Sequence, residues 1–117
     1  MNNPSVGAGP SFSVRVDVSA DRGVLVVTGD LDLATVEELG EHLARVVDSG
    51  CRELVVDLTA VPFCDVVGFT LLLDAARAVR ARRGSLRVLG ACWSLRRMVD
   101  AFDASGLLAV PSGTSRR

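Results

Sequence analysis

Residues 54–73, LVVDLTAVPFCDVVGFTLLL, decide the fold. Leu54-Val55-Val56 is short, β-branched and continuous rather than alternating, the pattern of a strand covered by other elements. Pro62 has no amide hydrogen for a ladder and holds Val61 extended, so the strand ends before it. Asp65 can cap the segment that follows, its carboxylate accepting from the free amides about two residues on. From there Gly68, Leu72, Ala75, Ala76 and Val79 recur at helical spacing, with Leu71 on their flank. Strand, tight loop and capped helix in this order make a βα unit.

Working outward, Val14, Val16 and Val18 alternate with Arg15 and Asp17, which predicts a half-buried strand. Ala20-Asp21-Arg22-Gly23 is turn-like, and residues 24–27 give its hairpin partner. Thr28-Gly29-Asp30-Leu31-Asp32 leaves as a loop. Thr35-Val36-Glu37-Glu38 has the form of a capping box, opening a helix that carries Val36, Leu39, Leu43, Val46 and Val47 on one face and stops at Ser49-Gly50. The central helix ends among Arg80, Arg82 and Arg83, with Gly84 closing it. Residues 86–89 read as a strand. Ser94 can cap a last helix with Leu95, Met98, Val99 and Phe102 on one face, ending near Gly106, and Leu107, Leu108 and Val110 follow as a short strand or tail.

The order ββαβαβα with right-handed crossovers predicts an α/β fold, a mixed four- or five-stranded sheet with helices mainly on one face. The ordered domain is expected over residues 13–110, between a disordered lead-in at 1–12 and a frayed tail at 111–117.

A chain of 117 residues, 49% hydrophobic and with a formal charge of −1, fits one globular domain. No apolar run reaches the roughly 18 residues of a membrane helix, and Met1-Asn2-Asn3-Pro4 lacks the basic patch of a signal peptide. The expected location is cytoplasmic. Catalysis finds little equipment. His42 is the sole histidine, and no serine or cysteine has an evident basic partner. Cys51, Cys64 and Cys92 form no C-x-x-C pair and read as small apolar residues.

Asp30, Asp32, Asp57 and Asp65 read as a loop, a strand end and a cap rather than a metal cluster, so neither metal nor cofactor is expected. Arg77, Arg80, Arg82, Arg83 and Arg87 form a basic run. Acidic residues, 14, outnumber the 13 basic ones, and no aromatic stripe accompanies the arginines. A solvated helix end is therefore expected, not a nucleic-acid site. On the central helix Val66, Val67, Thr70, Asp74 and Arg77 point away from the buried stripe, with Phe69 and Leu73 on the flanks. Two β-branched residues there suit a surface covered by a partner, or one covered by the loop at 30–34.

Asp57-Leu58-Thr59, then Val61, then Phe63-Cys64-Asp65-Val66-Val67-Gly68 resembles the signature of the anti-sigma factor antagonists in the STAS domain family, which is also found on sulphate transporters. The family pattern is roughly D-L-S-x-V-x-F-[apolar]-D-S-S-G-L. Asp57, Leu58, Val61, Phe63, Asp65 and Gly68 match it, and Thr59 replaces a serine. Val66 and Val67 stand where the family has two serines, the second usually phosphorylated. The loop at 28–32 resembles the family's G-x-L-D loop. The resemblance spans about residues 14–110 and implies the fold already read from the residues.

It also implies a bacterial protein-interaction module that binds a kinase-type anti-sigma factor and so releases a sigma factor for transcription. The implied surface is Asp30, Asp32 and Thr35 with Asp65, Val66, Val67, Gly68, Phe69, Thr70 and Leu73. Val67 has no hydroxyl to phosphorylate. Thr70 is the nearest substitute, and Thr59 and Thr35 are weaker ones. The alternative reading is an accessory subunit of a membrane-transport or multi-subunit sensing complex, a role in which the serine is often missing. Binding of a nucleotide or apolar ligand is a third.

Overall fold

A computed structural model describes residues 11–111; residues 1–10 of the lead-in expected over 1–12, and residues 112–117 of the tail expected over 111–117, lie outside them. Phe12, assigned to the lead-in by its sequence context, packs against the core. Seven elements follow in the expected order: β1 (Ser13–Ser19), β2 (Arg22–Thr28), α1 (Val36–Asp48), β3 (Glu53–Ala60), α2 (Val66–Arg80), β4 (Ser85–Leu89) and α3 (Trp93–Ala101).

The sheet order is β1-β2-β3-β4. β1 and β2 are antiparallel, and β3 and β4 add in parallel. Both parallel steps move in the same direction across the sheet, so their right-handed crossovers put α1 and α2 on one face. Ala109 bridges Arg87 beyond β4, a single step of a fifth strand. Burial follows this layering. Leu25 and Val27 of β2, Leu54, Val56 and Leu58 of β3, and Leu86 and Val88 of β4 form one side of the core. Leu39, Leu43 and Val46 of α1, Leu72, Ala76 and Val79 of α2, and Leu95 and Val99 of α3 form the other. Val55 points to the helix-free face yet is buried, because it sits in register between Val24 and Arg87.

Four local expectations are corrected. Thr35 stands at the N-cap of α1 but makes no capping bond. Its hydroxyl turns back into the loop, donating to the Asp30 carbonyl (2.8 Å) and accepting from the Asp32 amide (3.0 Å). The Asp32 carbonyl accepts from the Thr35 and Val36 amides, closing a turn that leads into the helix. Ser94 does not cap α3; the cap position falls two residues earlier, at Cys92, and the helix begins at Trp93. At the end of α2 the left-handed residue is Arg83 (φ 66°), not Gly84; Gly84 is required because a Cβ there would collide with the Arg52 carbonyl. Finally, α3 stops at Ala101, with Asp103 left-handed (φ 53°), before Gly106 is reached.

Candidate interaction site

The carboxyl ends of β2 and β3 release two loops, and backbone bonds stitch these together. The Leu31 amide donates to the Phe63 carbonyl (2.9 Å), and the Asp65 amide donates to the Leu31 carbonyl (3.0 Å). Leu31 is fully buried against the first turn of α2, where a Cβ on Gly68 would meet its Cγ at 2.7 Å and the Cys64 sulfur at 2.9 Å. Glycine at 68 is thus a condition of the close approach between loop and helix. Asp65 is the cap its position suggests: Oδ1 accepts from the Val67 amide (3.0 Å) and the Gly68 amide (3.5 Å). A third segment joins through Ser94, whose hydroxyl donates to the Cys64 carbonyl (2.9 Å) and accepts from the Cys64 amide (3.2 Å).

The structure therefore gathers Asp30, Asp32 and Thr35 beside Asp65, Val66, Val67 and Gly68, as the sequence suggested. Val66 is exposed and Val67 half-buried, so the loop at 30–34 does not cover the pair. Thr70 is exposed, but its hydroxyl donates to the Val66 carbonyl one turn back (2.9 Å). Leu73 is half-buried and leans on the core. Phe69 does not extend the exposed patch. It is 3% exposed, stacked on Phe102, the residue just past the end of α3, with ring centroids 5.5 Å apart. A helical wheel of α2 alone cannot register this, because the cover comes from a distant part of the chain.

Leu33, Phe63 and Trp93, which sequence reading left out of the surface, complete a rim with Val66. Leu33 (76% exposed), Phe63 (46%), Val66 (54%) and Trp93 (71%) all stand out from the three stitched segments. Large apolar side chains held in water at one end of a domain mark a contact surface. Trp93 is steadied by Arg97, whose guanidinium lies 4.9 Å from the ring centroid. Next to this rim a shallow groove between α1 and α2 is lined by Leu33, Val36, Gly40 and Leu71, with Glu37 and Glu41 on its lip. A signal was present in the sequence: aromatics within two residues of helix cap positions, at Phe63 and Trp93.

Burial, with Cys92 and Asp65 nearby, pushes the Cys64 thiol up to about 12, so it stays protonated and a poor nucleophile. Cys51 is buried too, and Cys92 is half-buried. Among the described residues no group of three or more His, Cys, Asp or Glu is placed to hold a metal, and no helix is long and apolar enough to cross a membrane. The arginine run is partly committed to backbone carbonyls: Arg82 donates to Val47 (2.8 Å) at the end of α1, and Arg80 to Gly106.

Residues 14–109 match the family described as Mlab, STAS domain. The anti-sigma-B factor antagonist of Staphylococcus aureus (strain NCTC 8325 / PS 47) is 31% identical over 88 residues, 75% of this chain and 82% of that protein. The antagonist of Staphylococcus epidermidis has the same identity and coverage. Among solved structures, an anti-sigma factor antagonist from Mycobacterium paratuberculosis superposes with a TM-score of 0.78 at 23% identity, covering 92% of each chain. SpoIIAA in its unphosphorylated form gives 0.68 at 20% identity, over 89% of this chain and 90% of that one. These structural likenesses agree on one fold, a four-stranded mixed sheet with three helices, and the sequence match over most of its length identifies this chain as a member of the STAS domain family.

Proposed function

We propose that this chain is an anti-sigma factor antagonist, a non-enzymatic module that sequesters an anti-sigma factor and so frees a sigma factor. The observation that carries the reading is the apolar rim of Leu33, Phe63, Val66 and Trp93 around the capped start of α2. The curated relatives named as antagonists support it. The proposed surface is this rim together with Asp30, Asp32, Thr35, Asp65, Val67, Gly68 and Thr70. The partner class is the kinase-type anti-sigma factor, met in a bacterial cytoplasm.

Control by phosphate at position 67 is absent in this reading. A phosphate carries about −1.5 to −2 charges and spoils an apolar interface by desolvation and repulsion. Valine offers no oxygen to carry it. Thr70 is the nearest hydroxyl, and it is already spent on the Val66 carbonyl. Partner binding is then constitutive, with control left to expression or to the partner. Affinity purification of the tagged chain from its own cells, followed by mass spectrometry, should recover an ATPase-type anti-sigma factor. Its absence from the bound fraction, or an equal yield with Val66→Glu, would sink the reading. Intact mass after incubation with that kinase and ATP should show no added phosphate; phosphate on Thr70 would restore a switch moved by one turn.

A second reading is favoured by the same valine pair: an accessory subunit held permanently in a transport or sensing complex. Recovery of transporter or sensor subunits in place of an anti-sigma factor would select it.

A further inference from the structure

Edge strands are templates for pairing, and proteins usually blunt them with bulges, proline or charged side chains. β1 has no bulge or proline, and its two charges, Arg15 and Asp17, are of opposite sign. It is outermost in the sheet, seven residues long, and in unbroken register with β2 from Ser13 to Ser19. The opposite edge is bridged by Ala109; among the described residues the outer side of β1 has no ladder. We propose that β1 is the docking edge for a second copy of this chain, pairing antiparallel with itself about a two-fold axis at Val16 and joining two sheets into one.

The sequence of β1, SVRVDVS, reads the same in both directions except that Arg15 and Asp17 exchange places. Pairing about Val16 therefore sets Ser13 opposite Ser19, Val14 opposite Val18, and Arg15 opposite Asp17 of the second copy, twice. The peptide groups are placed for it. Ser19 and Arg22 flank a two-residue turn, and such a flanking pair exchanges both of its hydrogen bonds. Alternate residues Ser13, Arg15 and Asp17 then also turn their peptide groups to β2, while Val14, Val16 and Val18 turn theirs outward.

Only residues with outward peptide groups can be hydrogen-bonded partners across the new seam, so the register can slip only in steps that keep valine against valine. One step sets Arg15 against Arg15, and the other sets Asp17 against Asp17. The Val16 register alone pairs opposite charges. Neither Arg15 nor Asp17 is in an ion pair among the described residues. On the helix face Val16 (42% exposed) and Val18 (45%) are uncovered although they share the side of the core residues; a second β1 would lay valines against them. This edge carries none of the rim residues, so the proposal stands or falls apart from the partner assignment.

Charge exchange tests it. Arg15→Asp and Asp17→Arg each set like charges opposite each other twice, an expected weakening of about tenfold. Mixed together, the two variants regain two attractive pairs. Sedimentation equilibrium of the full chain over a concentration series should give a reversible dimer for the native protein, mostly monomer for each variant alone, and a heterodimer for the mixture. Circular dichroism confirms that each variant is folded, and the double variant R15D/D17R, which restores both pairs within one sequence, should dimerise like the native chain. A native chain that stays monomeric, single variants that dimerise as tightly as it does, or a mixture and a folded double variant that stay monomeric would each overturn the proposal.

Discussion

Val66 and Gly68, two residues apart on α2, face opposite demands. Gly68 lies where loop and helix touch, with no room for even a methyl group. Val66 stands in water with space on every outer side. The first is fixed by the fold, while the second is costly to hydrate and contributes nothing visible to the core. A helix start so divided is a rigid support on one side and a free contact on the other.

The buried side should break hardest. Leu72, fully buried at the centre of that side, is expected to lose roughly 2–5 kcal/mol on Leu72→Ala, read by urea unfolding. Gly68→Ala adds one methyl where Leu31 and Cys64 leave no space, so about 1–3 kcal/mol is expected unless the 29–35 loop moves away. A cost near zero would mean that the loop is not clamped to α2. Asp65→Ala removes the cap and should cost about 1 kcal/mol, while Asp65→Asn should cost less.

The open side should be nearly silent in the same assay. Val66→Glu is expected to change stability by less than about 0.5 kcal/mol, since a negative charge suits a helix start. It should abolish capture of the anti-sigma partner. A large destabilisation by Val66→Glu would erase the contrast, and unaltered capture would sink the partner reading built on this rim.

Much of α2 was legible because its signals are local. Pro62 stops β3, Asp65 caps, and Leu72 sits among apolar neighbours at helical spacing, all within the segment itself. Thr35 and Ser94 misled for the reverse reason. The run Asp30-Leu31-Asp32 offers Thr35 a carbonyl that competes with the cap, and Ser94 is claimed by Cys64, distant in sequence. Phe69 was misplaced because Phe102, just past the end of α3, stacks on it. Leu33, Phe63 and Trp93 went unseen as one rim because they become neighbours only when three loops are stitched together. The valine at position 67 needed no structure; the missing hydroxyl is plain in the sequence.

The sheet lays its strands down in the order in which the chain supplies them. β2 returns along β1 through a two-residue turn, β3 joins β2, and β4 joins β3, and among the described residues no strand is inserted later between two others. A ribosome releasing about 5–20 residues per second thus presents each strand to a neighbour that is already finished. Assembly becomes accretion rather than search, each parallel closure spanning one helix to reach a strand already in place. The first strand made is also the last edge still open, which gives this protein a period in every synthesis when β1 is complete and its own domain is not.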